Sequence, residues 1–79
     1  MIINTNTVVI NVGTIVWMEL ESGFYGIITD NGARYDPTNL GSNLQIHGQR
    51  IFFIALKSAS QVSFHMWGTM IDIIYIQKI

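Results

Sequence analysis

The chain has no cysteine, one proline, few charges and no long hydrophobic run, and each shortage closes off a class of answer. Without cysteine there is no disulfide framework and no thiolate metal site, so a chain of 79 residues must hold itself together by packing alone. Charged residues make up 11% of it, against about 25% in ordinary soluble domains. The four cations, Arg34, Arg50, Lys57 and Lys78, are scattered and opposed by Glu19, Glu21, Asp30, Asp36 and Asp72, for a net charge of −1. Nucleic-acid affinity depends on clustered Lys and Arg displacing phosphate counterions, so non-specific nucleic-acid binding is disfavoured. No apolar run approaches the roughly 18 residues of a membrane-spanning helix. The opening MIINTNTVVI has neither a basic region nor a small-residue cleavage site, so a cytoplasmic location is the expectation.

What is present in excess is apolar surface. Hydrophobic residues reach 49% and mean hydropathy is +0.37. A single domain this small buries little more than about 60% of the surface its unfolded chain exposes, so an apolar excess calls for burial against a second copy or another protein.

The clearest local signal is Gly23 to Pro37, GFYGIITDNGARYDP: an apolar strand, a turn at Asn31-Gly32 and a short return strand closed by Asp36-Pro37. Asn-Gly accepts positive φ at both centres of a two-residue type I′ turn, which is the expectation here. Upstream, Thr7 to Leu20 is rich in β-branched residues, with Gly13 at its middle, and reads as one long strand bent at that glycine. Glu21-Ser22-Gly23 is a tight connection into the second strand. Leu40 to Gly48 has no sustained helical period and reads as a loop or single helical turn plugging one end of the core with Leu40, Leu44 and Ile46. Gln49 to Lys57 alternates Ile51, Phe53 and Ala55 with Phe52, Ile54 and Leu56, so both its faces are apolar and both call for cover. Val62 to Met66 begins the last region, and Met70 to Ile79, MIDIIYIQKI, ends it as a strand too apolar to be left on an open edge. With no repeat or linker, the expectation is one all-β domain over residues 1–79. It is a small, partly open OB-like barrel of five antiparallel strands with a plug between the third and fourth, an SH3-like barrel being the nearest alternative.

FYGIITDNGARYDPTNL, GQRIFF and SFHMWGTMIDIIYIQKI together resemble a group of small, uncharacterised prokaryotic OB-like barrel domains. Their pattern is an aromatic-Gly-Ile strand, a D-[DN]-G turn, Y-x-P-x-N-L, G-x-R-[IV], [HC]-M-W-G and a closing I-x-x-I-x-K strand. The resemblance covers about Gly13 to Lys78 and implies a fold, not an activity. It also implies that Ile51, Phe53, Ile71, Ile73 and Ile76 are core. The chain departs from the group in carrying Phe52, Ile54, Ile74 and Tyr75 on the outer face of the last two long strands, where polar residues are common. Those four residues are therefore the candidate interface of a homo-oligomer or a protein complex.

Chemistry is sparse. The serines at 22, 42, 58, 60 and 63 lack a nucleophile-elbow setting, Glu19 and Glu21 would share a face of a solvated strand end, and no catalytic constellation emerges. The chain reads as a non-enzymatic module with no cofactor. A metal site from His47, His65 and Asp36 has no ligand spacing behind it, and His47 beside Gly48 reads as a solvated loop residue. His65-Met66-Trp67-Gly68 has two readings: His65 and Trp67 at a ligand mouth, or Trp67 capping the barrel end with Gly68 permitting a bend. Arg34 with Tyr25, Tyr35 and Trp67 could form a stacking and anion-binding patch for a small ligand or nucleotide. Against that, Tyr35 could pack beneath the loop after Pro37 and Arg34 could pair with Asp36.

Overall fold

A computed structural model describes residues 7–58 and 67–79. The expected strand start at Val62 to Met66, and His65 with it, lie outside the described residues. Five strands, β1 Val8–Met18, β2 Phe24–Thr29, β3 Arg34–Pro37, β4 Arg50–Lys57 and β5 Thr69–Lys78, form a closed barrel in the order β1-β2-β3-β5-β4. In this order β4 returns to lie beside β1, the Greek-key arrangement of OB barrels. The all-β five-stranded barrel is therefore present, with two differences in detail. The barrel is closed rather than partly open, and β3 runs parallel to β5, pairing Tyr35 with Thr69 and Pro37 with Ile71. Closure leaves none of these five strands as an open edge, which removes the template for edge-to-edge aggregation from the described barrel.

The long first strand is continuous. Its N-terminal half pairs with β4 and its C-terminal half with β2, and at Gly13 it faces Thr29 on one side and Ile51 on the other. A Cβ there would come within 2.7 Å of the Ile28 carbonyl oxygen, so only glycine lets the strand pass from one partner to the next. The core is built from inward side chains on alternate positions: Val9 and Ile15, Ile27, Ile51 with Phe53 and Ala55, and Ile71, joined by Leu44. Ile73 and Ile76 pack against this cluster, so all five expected core positions of β4 and β5 face inward. They can do so while three residues apart because β5 carries a register shift opposite Ile54 and Ala55, where Tyr75 pairs with Ile54 but Ile73 with Ala55. The extra residue is Ile74, and the bulge turns Ile74 and Tyr75 outward together.

The hairpin lies where it was expected but closes differently. Among the described residues the only non-glycine with positive φ is Glu21, so Asn31 does not take the left-handed conformation that a type I′ turn demands. Instead Gly32, at φ 89°, is the left-handed residue of a three-residue loop, Asp30 to Gly32. The Gly32 N–H donates to the Thr29 carbonyl at 2.9 Å, and Thr29 and Ala33 close the ladder around it. The plug is a single 3-10 turn, Ser42–Leu44. Leu44 is buried and Leu40 partly so, but Ile46 is 45% exposed and takes no part in the plug. The turn ends before Ile46, and the chain there crosses the rim towards β4.

Candidate functional site

The residues singled out in the sequence separate into different regions of the barrel. Tyr35 points inward from β3 and meets the Phe53 ring edge-on, with centroids 6.1 Å apart, so it is part of the packed interior. Trp67 does not cap the end of the barrel. It lies on the outer face of β2, edge-on to Phe24 at 5.6 Å and over Gly26, with the Arg34 guanidinium 5.8 Å from its ring centre. Phe24 is thereby buried although it points away from the core. Arg34 and Trp67 thus share one outer patch, which Tyr25 and Tyr35, directed to the other face of the sheet, do not join. Asp36 is buried within β3.

Tyr25 belongs to a cleft at the barrel mouth. The tight turn at Glu21 and Ser22 pairs Trp17 with Tyr25 across β1 and β2, and their rings meet edge-on, 4.9 Å apart at 62°. Trp17, Glu19, Tyr25 and His47 line an open cleft of about 490 Å³. His47 is exposed, as a loop residue should be, yet its Nδ1 accepts a hydrogen bond from the Trp17 backbone N–H at 2.8 Å. That bond ties the segment between the plug and β4 to the end of β1. The Trp17 indole rests on Gly23, where a Cβ would sit 2.3 Å from the ring. Gly23 itself has φ 89°, so both backbone conformation and space exclude a side chain there. Trp17, Glu19 and His47 are absent from the candidate ligand residues read from sequence. The available signal was the tight Glu21-Ser22-Gly23 turn, which fixes Trp17 opposite Tyr25. His47, thirty residues away, carried no such signal.

The second feature is a continuous apolar face. Val8, Ile10 and Val12 on β1 pair with Leu56, Ile54 and Phe52 on β4, and Ile54 and Phe52 pair with Tyr75 and Gln77 on β5. Cross-strand partners point to the same side of a sheet, so these side chains form one outer surface across three strands. The Phe52 and Tyr75 rings meet edge-on at 6.3 Å. Ile10 is 62%, Ile74 61% and Tyr75 47% exposed, while Phe52 and Ile54 are half-buried between them. The charged residues paired into this face lie at its two ends, Asp72 opposite Leu56 and Arg50 opposite Thr14. The four residues proposed from sequence are thus neighbours, and β1 extends their surface by Val8, Ile10 and Val12.

At the β4 start of this face, beside Phe52, Arg50 donates two hydrogen bonds to the Asp30 carboxylate, at 2.5 and 2.8 Å, and a third to the Thr14 hydroxyl of its β1 partner. The hydrogen-bonded guanidinium holds Asp30 below the usual carboxylate range, and the carboxylate holds Arg50 above its own. Among the described residues, no three His, Asp or Glu side chains gather as metal ligands would, and no helix is long and apolar enough to cross a membrane. No protein-family model matches the sequence, and no curated protein matches it either.

Proposed function

We propose that the protein is a non-enzymatic assembly module that pairs with a second copy of itself through the outer face of β1, β4 and β5. The observation that carries this reading is the unbroken apolar surface from Val8, Ile10 and Val12 through Phe52 and Ile54 to Ile74 and Tyr75. Monomers seldom leave a contiguous apolar patch across three strands open to water. A second copy fits the face better than a partner of different chemistry for two reasons. Its charged residues, Asp72 and the Arg50 already paired with Asp30, lie at opposite ends and leave little charge to complement, and the apolar centre between them can meet itself across a two-fold axis without like-charge repulsion. Two such sheets would pack face to face with strands inclined by about 30° and their side chains interdigitated, as in a sandwich core. A standard interface covers about 800 Å² on each partner, and this patch would supply its apolar centre, with Asp72 and Gln77 at the rim.

The test is the oligomeric state at micromolar concentration by light scattering. A dimeric wild type that becomes monomeric on Ile74→Lys or Phe52→Lys supports the reading. A strictly monomeric wild type, or an oligomer indifferent to both changes, removes it.

A further inference from the structure

We propose that the mouth cleft formed by Trp17, Glu19, Tyr25 and His47 binds an organic cation, specifically a methylated or quaternary ammonium group. Three observations converge. First, the walls are aromatic and meet at an angle: the Trp17 and Tyr25 rings, 4.9 Å apart and inclined at 62°, form a corner. A flat base or sugar ring stacks on one plane, whereas a rounded ammonium head touches both faces of a corner, and Trp is the strongest partner in such cation–π contacts.

Second, the charge has the required sign. Glu19 lines the cleft, and an adjoining hollow is bounded by Trp17, Glu19, Glu21, Ser22 and Gly23. Among the described residues, no lysine or arginine bounds either space. Arg50 is committed to Asp30 and Arg34 lies over Trp67, so neither offers its charge to a phosphate at this end. A nucleotide is therefore the wrong ligand for this mouth.

Third, the walls are held in place before any ligand arrives. The Trp17 indole is seated on the bare backbone of Gly23 and against the Tyr25 ring, and the Trp17 backbone N–H is fastened to His47 Nδ1, which fixes the strand end that carries the indole. Preorganisation of this kind reduces the ordering cost of binding. The volume of about 490 Å³ falls within the ordinary range for small-molecule sites.

The experiment titrates the full chain with choline, and separately with its uncharged isostere in which tert-butyl replaces trimethylammonium, following Trp17 and His47 by heteronuclear NMR. The expected result is saturable shifts of both residues with choline and binding of the isostere at least about tenfold weaker. Glu19→Gln, a change at an exposed position, should weaken choline by about three- to tenfold. Trp17→Leu should remove the saturable shift while the dispersion of the spectrum shows the barrel intact. Added salt should weaken binding, because the carboxylate acts through solvent. The proposal is overturned if choline and the isostere bind equally. It is also overturned if neither variant changes the affinity, if no shift appears at about 50 mM choline, far above a millimolar Kd, or if a nucleoside monophosphate or glucose shifts Trp17 in preference to choline.

Discussion

Replacing Gly26 with alanine places a methyl group where the Trp67 indole lies. The new Cβ would be 2.3 and 2.6 Å from two carbons of the ring, so the ring edge must retreat by about 1 Å to restore an ordinary contact. It cannot retreat without loss, because the indole is set edge-on to Phe24 at 5.6 Å and 5.8 Å from the Arg34 guanidinium. The aromatic pair contributes about 0.5–1.5 kcal/mol and the exposed cation–π contact about 0.5–1 kcal/mol. Losing most of both, or straining β2 to keep them, costs about 1–3 kcal/mol, and a domain this size loses about 4–8 °C of Tm for each kcal/mol. The sign is informative, since alanine for glycine within an extended strand otherwise stabilises by about 0.5–1 kcal/mol. Urea unfolding followed by far-ultraviolet circular dichroism, at one fixed protein concentration, measures the loss. The same change in a Trp67→Leu background completes a double-mutant cycle. Equal losses in both backgrounds, or a stabilised Gly26→Ala, would refute the placement of Trp67 as the cover of β2.

Two further perturbations bear on the turns and one on the surface ion pair. Glu21 sits at φ 55°, where a side chain crowds the backbone at a cost of about 1 kcal/mol, so Glu21→Gly should hold or raise Tm. A clear fall would show that the side chain supports the turn. Gly32→Ala meets no atom within 4 Å yet must adopt φ 89°, so it should lose about 1 kcal/mol through backbone conformation alone. An unchanged urea midpoint would argue against the three-residue loop. Because Arg50 depresses the pKa of Asp30 in the folded state, the pair's contribution is complete above the unfolded aspartate pKa of about 3.9. It fades as pH falls through the lower folded value. Asp30→Asn should therefore lower the midpoint slightly near neutrality, with the gap closing in acid and in high salt. A gap independent of both would show that charge is not its cause.

Much of the barrel was legible because its information is local. The β-branched run around Gly13 announces a bent strand, and the alternation of Ile51, Phe53 and Ala55 announces a buried face. The position of the Asp30-Asn31-Gly32 turn was legible too, but not its geometry. Asn-Gly is compatible with a two-residue turn, and only the Thr29 ladder bonds show that Asp30 joins the loop. The parallel pairing of β3 with β5 could not be read, because it joins residues such as Tyr35 and Thr69 that share no local pattern. The same limit explains the scattered ligand candidates. Arg34 and Tyr35 are adjacent in the chain but lie on opposite faces of one strand, whereas Trp17 and His47 are distant in the chain and hydrogen-bonded in space. The apolar outer face was readable from composition, since Phe52, Ile54, Ile74 and Tyr75 remain once the core positions are assigned. Its extension over Ile10 follows from a register between β1 and β4 that the sequence does not specify.

The most direct measurement of the assembly reading is the concentration-dependent mass of the wild type and of Ile74→Lys by light scattering. Ile74 is 61% exposed, so lysine there leaves the barrel intact. A two-fold dimer contains the change twice, and losing about 1–2 kcal/mol at each copy, the share of full burial that the exposed part of Ile74 can still gain, weakens association by about thirtyfold or more. The account predicts a dimeric wild type at micromolar concentration and a monomeric, fully folded variant. A wild type of monomer mass throughout, or a variant that dimerises as well as the wild type, would contradict it.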